Sequence, residues 1–334
     1  MNTALTALTA RFPVADGVGS VTQAPNLPEG FADTFTSRYI EANGIRQHVV
    51  IGGEGPALVL VHGWPETWYA WRLLMPELAK RYTVIAPDQR GIGLSERAES
   101  GYDSTTLAAD LIGVVDALGI DRFAIAGHDT GFIVSYALVA DHPERVDRAA
   151  LAEIPGPPAV SNTPPLFVPA HLNAKLWHIP FNRAEGLPEQ LITGREDAFF
   201  GYEFAIQGGG VPAELIDFYV GLVSDPESLR GSLGFYRAWD ATLAQNEERV
   251  ARKLALPVLA VGGERSYGGL VGHAMEALAE DVEGLVVEGA GHWLAEEAPE
   301  QLLAAFERFF EPYRAAAVTG AGAGTALAEA SVVR

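Results

Sequence analysis

The chain has 334 residues, 48% of them hydrophobic, enough for one large α/β domain with an insertion or for two domains. Its formal net charge of −20 argues against a nucleic-acid backbone and against an anionic membrane surface as partners. It contains no cysteine, which excludes disulfides, a thiol nucleophile and a thiolate metal site and is compatible with the cytoplasm.

No stretch reaches the roughly 18 consecutive apolar residues of a membrane span. Met1 to Ala10 lacks the basic start and the apolar core of a secretory signal, so a cytoplasmic location is expected, with export by other routes left open. Residues 1–33, rich in Thr, Ala, Gly and Pro without a clean period, read as an extended arm or partly mobile lead-in. Strand-like stretches at Thr34 to Glu41 and Ile45 to Ile51 flank Asn43-Gly44, a strong hairpin signal. Ala57 to Val61 is continuously apolar, as in a strand buried on both faces. It runs into His62-Gly63-Trp64-Pro65-Glu66-Thr67, where Pro65 is a candidate for a cis peptide and His62 reads as a structural loop histidine.

A further strand, Tyr82 to Ala86, leads into Asp88 to Ser95, whose glycines allow a tight loop but form no nucleotide-binding fingerprint. Thr105 to Leu118 has helical spacing. Then comes the strand Arg122 to Ala126, the turn Gly127-His128-Asp129-Thr130-Gly131 and a helix over Phe132 to Ala140. Small residues on both sides of a central side chain, between strand and helix, match a nucleophile elbow, whose usual form is Gly-x-Ser-x-Gly. Here the centre is Asp129. A carboxylate, with an ordinary pKa of about 3.9, is ionised without help from a base. It attacks a saturated carbon bearing a leaving group and becomes an ester of the protein. That chemistry points to epoxides or alkyl halides, not to esters or peptides.

Val146 to Leu151 is the next strand, followed by Glu153. Residues 157–250 then turn rich in Phe, Tyr, Trp and Pro with no sheet strands, as expected of a helical cap over the carboxyl ends of the sheet. The core resumes with Leu256 to Val261, a helix near Gly272 to Ala279, the strand Gly284 to Glu288, Gly291-His292-Trp293 and a closing helix from Pro299 to Phe310. The predicted organisation is a mostly parallel, doubly wound sheet with a core over 34–156 and 251–312. Residues 313–334 are expected to form a disordered tail, on small residues and low complexity.

The order His-Gly-x-Pro, Gly-His-Asp-x-Gly, cap and Gly-His-Trp resembles the epoxide hydrolases and haloalkane dehalogenases of the α/β-hydrolase fold over roughly residues 34–312. The resemblance implies His292 as base and the backbone N–H groups of Trp64 and Thr130 as an oxyanion hole. Most relatives place the acid as Gly-x-x-Asp after the seventh strand, but here Gly263-Glu264-Arg265-Ser266 ends in Ser. Glu153, after the sixth strand, is the alternative acid, with Glu264 as runner-up. Dehalogenases commonly follow the nucleophile with Trp or Arg, and Thr130 offers neither group. Tyr236 matches one ring-opening residue of the family, and His178 stands where the other would be, similar to the His/Tyr pair of the Cif-like branch. The cap aromatics Phe167, Trp177, Phe181 and Trp239 suggest an apolar substituent on the substrate. The implied protein is a cofactor-free epoxide hydrolase acting on a small-molecule epoxide and water, with no metal. A haloalkane or haloacid dehalogenase is the alternative, and oligomeric state carries no expectation.

Overall fold

A computed structural model describes residues 9–165 and 167–324. Eight strands form one sheet in the order β1-β2-β4-β3-β5-β6-β7-β8. They are β1 (Phe35–Ala42), β2 (Ile45–Gly53), β3 (Ala57–Val61), β4 (Thr83–Pro87), β5 (Phe123–His128), β6 (Val146–Ala152), β7 (Leu254–Gly263) and β8 (Ala279–Val287). β2 is antiparallel to β1 and β4, and all other neighbours are parallel. Asn43 and Gly44 take φ of 48° and 77°, the left-handed pair that a two-residue hairpin requires, and close β1 onto β2 with Ala42 opposite Ile45.

The central strands are apolar throughout because both faces are covered. Val59 and Val61 of β3 and Phe123 and Ile125 of β5 face the core under the helices Ser104–Ala117 and Thr130–Asp141. Their alternates, Leu58, Leu60, Ala124 and Ala126, face a second core filled by Trp68, Trp71, Phe306 and Phe310. A side chain every second residue serves each layer.

Between β6 and β7 the described residues of 157–250 form helices only, as expected from their composition. The insertion is tied to the core at its far end. Arg249 donates to both oxygens of Asp141 at the end of the elbow helix, to Ser104 Oγ at 2.7 Å and to Thr105 Oγ1 at 2.6 Å. One buried guanidinium thus joins insertion and core.

Three boundaries differ from expectation. β8 begins at Ala279, not Gly284, and the preceding helix ends at Glu276. β8 is the sheet's edge, so its early residues meet solvent and carry the charges of Glu280, Asp281 and Glu283 without losing their pairing to β7. The lead-in is packed where it is described. Trp68 Nε1 donates to Gly19 O at 2.7 Å, and the Tyr69 hydroxyl donates to Pro25 O at 2.6 Å. Those carbonyls satisfy donors that burial would otherwise leave unpaired. The closing helix runs from Pro299 to Gly324, so 313–324 is helical where disorder was expected, and 325–334 lies outside the described residues. Its continuation past Pro312 is anchored by Tyr313, whose hydroxyl donates to Ala57 O at 2.9 Å. Among the described residues no helix is long and apolar enough to cross a membrane.

Arg249→Met should strip five charged hydrogen bonds, the fifth to Asn246 Oδ1 at 2.9 Å, while keeping much of the side chain's apolar stem. Urea unfolding should register a loss of about 2 kcal/mol or more, and an unchanged midpoint would mean that the contact carries no stability.

Candidate active site

The site lies where β3, β5, β6 and β7 end. Asp129 follows β5 directly and has φ 53° and ψ −118°, a conformation that a non-glycine residue adopts only under tertiary constraint. Its N–H donates to Ala152 O at 3.1 Å and its carbonyl accepts from Phe132 N at 2.9 Å, which fastens the turn on both sides. Glycines make the turn sterically possible. A Cβ on Gly131 would stand 2.3 Å from Val61 O, and one on Gly63 would stand 2.6 Å from the Asp129 Cβ.

The Asp129 carboxylate is held asymmetrically. Oδ1 accepts the N–H of Trp64 at 3.0 Å, and Oδ2 stands 3.6 Å from His292 Nε2. Thr130 opens the elbow helix, so its N–H belongs to the first turn, where amides have no intrahelical acceptor. The Trp64–Pro65 peptide is cis.

His292 Nδ1 lies 3.0 Å from Glu153 Oε2. Glu153 is fully buried at φ 68°, and its other oxygen accepts the N–H of Gly263. Glu264 points elsewhere: its carboxylate accepts the N–H of Gly289 at 2.8 Å at the surface. Ser266 Oγ, at the family's usual acid position, is buried with no hydrogen-bond partner among the described residues.

From the insertion, His178 and Tyr236 converge on Trp64. His178 stacks on the indole at 5.4 Å and 9°, and the Tyr236 ring meets it edge-on at 5.2 Å and 86°. Burial, then the charges of Asp129 and Glu203, push the Tyr236 phenol well above its ordinary pKa, so it stays a donor. The other two tyrosines of the insertion do not compete. Tyr219 donates to Glu296 at 3.2 Å, and Tyr202 is on the surface. Of the aromatics expected near a substrate, Trp177 packs with Phe181, and Trp239 stacks on Tyr236. Phe167 is 88% exposed and lines nothing, a correction to the sequence reading. Pro164, Pro165 and Pro169 bracket it within three positions, so no helical period ties its ring to the insertion's core.

His62 is structural. Its Nδ1 donates to Gly63 O at 2.8 Å and its Nε2 accepts the N–H of Gln89 at 3.0 Å, and burial lowers its pKa, so the ring is neutral.

Four residues were not singled out by the sequence. His128 Nε2 donates to the carbonyl of His292 at 2.8 Å, and its Nδ1 faces Glu66 Oε2 at 3.2 Å. Burial alone would lower its pKa. The hydrogen bond and charge of Glu66, with Asp129 and Glu153 behind, outweigh burial and raise it to about 9. His128 is therefore a cation beside the Asp129 anion. Glu66 and His128 both lie inside the two motifs already read, but nothing in the spacing pairs them. Glu203 shows a fainter signal: Phe200, Glu203, Phe204 and Gln207 form the buried stripe of their helix, so a carboxylate stands on an apolar face. Tyr267, after Ser266, is largely buried, and burial with the charges of Glu153 and Asp129 raises its pKa to about 12.

The α/β-hydrolase fold family matches over residues 56–299. A soluble epoxide hydrolase of a Corynebacterium species is 34% identical over 281 residues, 81% of this chain and 96% of that protein. Epoxide hydrolase A of Mycobacterium tuberculosis is 28% identical, across 82% of this chain and 97% of its own length. Among solved structures, wild-type Cfl2 of Burkholderia cenocepacia superposes with a TM-score of 0.77 at 35% identity, covering 83% of this chain and 96% of Cfl2.

The raised pKa of His128 makes stability depend on pH. Its contribution is fully present below about 6.5 and is lost as pH rises through about 9. Glu66→Gln removes the cause. The stability deficit of that variant, read from urea unfolding, should be largest near neutral or lower pH, on the order of 3 kcal/mol, and should shrink above the raised pKa. A deficit that does not vary with pH would show that His128 is uncharged.

Proposed function

The chain belongs to the α/β-hydrolase fold family, and from that premise we propose that it is an epoxide hydrolase working through an ester on Asp129. The observation that carries this reading is the convergence on Trp64. Its N–H holds the nucleophile, and its ring carries the two donors that an opening epoxide needs, His178 and Tyr236.

Asp129 Oδ2, free of the Trp64 bond, attacks an epoxide carbon. The carbon–oxygen bond breaks, and the departing oxygen is received by Tyr236 and His178. Oδ1 becomes the ester carbonyl, already set against the Trp64 N–H. His292, oriented and charge-balanced by Glu153, takes a proton from a water that adds to that carbonyl. The N–H groups of Trp64 and Thr130 stabilise the oxyanion. Collapse releases a vicinal diol and restores the carboxylate, with one oxygen from water. Every group named is a side chain or amide of this chain, and the scheme uses no cofactor. A dehalogenase would use the same Asp, His and Glu, but Thr130 carries no indole or guanidinium to hold a halide or a haloacid carboxylate.

His292→Gln should leave the first step alive and block the second, because an ionised Asp129 needs no base and water does. Mass spectrometry of the variant incubated with a turned-over epoxide should find a covalent adduct, placed by digestion on the peptide containing Asp129. Wild-type turnover, or an adduct elsewhere, would sink the scheme.

Glu153→Gln should lower turnover by roughly 10² to 10⁴, whereas Glu264→Gln should change it little. Steady-state rates of the two variants decide the matter, and a larger loss at Glu264 would put the acid on β7.

A further inference from the structure

We propose that Glu203 is a positioning residue for ring opening: paired with Nδ1 of His178, it keeps a proton on Nε2, the nitrogen left to face the epoxide oxygen. The inference rests on the reading of His178 as a ring-opening donor and adds the group that makes it one.

Glu203 lies on the helix Glu196–Gln207 and is 1% exposed. Its Oε2 stands 3.2 Å from His178 Nδ1. Among the described residues neither carboxylate oxygen nor Nδ1 makes a hydrogen bond, so the 3.2 Å approach is an ion-pair contact and each group is the other's nearest available answer. A buried carboxylate is costly unless a charge or donor answers it, and the answering group here is His178.

Proton counting then decides the tautomer. When the pair holds its shared proton, it is either carboxylate with imidazolium or carboxylic acid with neutral imidazole. In both forms Nε2 carries hydrogen. When the pair loses that proton, the remaining one sits on Nδ1 against the carboxylate, and Nε2 becomes a bare acceptor that repels an opening alkoxide. The other groups facing the ring are the Trp64 indole and the Tyr236 phenol, which is 5.6 Å away and edge-on, with the Asp129 charge beyond it. Burial keeps the phenol protonated.

The step balances. Asp129 forms a carbon–oxygen bond, the epoxide carbon–oxygen bond breaks, and the alkoxide takes the Nε2 proton of the imidazolium. In the second step water supplies two protons: His292 takes one and passes it to the departing alkoxide, and the other leaves the re-formed Asp129 carboxyl for solvent, from which His178 is restored. The same helix also reaches the base: Phe204 O accepts the indole N–H of Trp293 at 3.0 Å, and Gln207 O accepts the N–H of His292 at 3.3 Å.

The test measures ester formation and ester hydrolysis separately, by single-turnover quench across pH. The probe is whichever of styrene oxide, cyclohexene oxide or epoxyhexane turns over fastest. In Glu203→Gln, ester formation should slow about 10- to 100-fold above neutral pH. Its alkaline limb should move to lower pH, while ester hydrolysis keeps the wild-type rate. Glu203→Asp should recover part of the loss. An unchanged rate and alkaline limb in Glu203→Gln, or equal slowing of both steps, overturns the proposal. His178→Phe separates the two readings. Wild-type ester formation in that variant overturns the role of His178 itself. Slow ester formation there, with a wild-type profile in Glu203→Gln, overturns only the pairing. Should Glu203→Gln not fold, ¹⁵N NMR of histidine-labelled wild type decides, with the His178 signal identified by its loss in His178→Phe. At pH values below the alkaline limb of ester formation, a proton on Nε2 supports the pairing, and a neutral ring protonated only on Nδ1 overturns it.

Discussion

A carboxylate can leave water only in the company of a charge or a donor, and this molecule buries three glutamates around one aspartate. Glu66, Glu153 and Glu203 are each at most 2% exposed, and each faces an imidazole: His128, His292 and His178. In a low-dielectric interior such pairs are strongly coupled and leave little freedom in tautomer. The first pair holds a cation beside Asp129 and anchors the carbonyl of His292. The second orients His292, the proposed base. The third reaches from the insertion into the same space. Asp129 keeps one oxygen in a backbone N–H bond and the other in view of the base, so the anion is held without being neutralised.

That arrangement depends on two strand ends that turn sharply. Of the four non-glycine residues with positive φ among the described residues, two are Asp129 and Glu153, each the first residue beyond its strand. The other two are asparagines, which tolerate that conformation, whereas acidic residues at strand ends hold it only because the sheet over-determines it. β5 and β6 are parallel neighbours, with His128 opposite Ala152, so their next residues emerge side by side at one edge. β7 adjoins β6, and the N–H of its last residue, Gly263, completes the bonding of Glu153. A Cβ at that glycine would stand 2.0 Å from Gly291 O, on the loop that carries His292. Close backbone approach is what brings the carboxylate just past β6 against the imidazole beyond β8.

The insertion is part of the site and not merely a cover for it. Its helix Glu196–Gln207 touches His178 through Glu203 and the base loop through two carbonyls. Glu297 fixes the same loop from the core, accepting the N–H groups of Gly291 at 2.8 Å and Trp293 at 3.1 Å. Trp64 closes the arrangement on the other side, since it belongs to the core by its backbone and to the insertion by its ring.

Local sequence determined the elements whose physics is local. The Asn43-Gly44 hairpin, the apolar runs of β3 and β5, the glycine-flanked elbow and its carboxylate are legible because each needs particular residues within a few positions. The proposal of an ionised nucleophile likewise rests on Asp129, a single residue of that turn. Edges were less legible: β8 begins among charges because an edge strand answers to one neighbour. The helix from Pro299 outlasts its apolar pattern, with Tyr313 anchored to β3. Tertiary structure alone decided which carboxylate meets which imidazole. The sequence favoured Glu153 with Glu264 as runner-up, and the sheet's parallel register sets the first against His292 and turns the other to Gly289. Glu66 and His128 are 62 residues apart, and His178 and Glu203 are 25 apart, on different elements. A pairing of that kind leaves no period in the chain, because it is imposed by the cost of burying charge after the fold has brought the elements together.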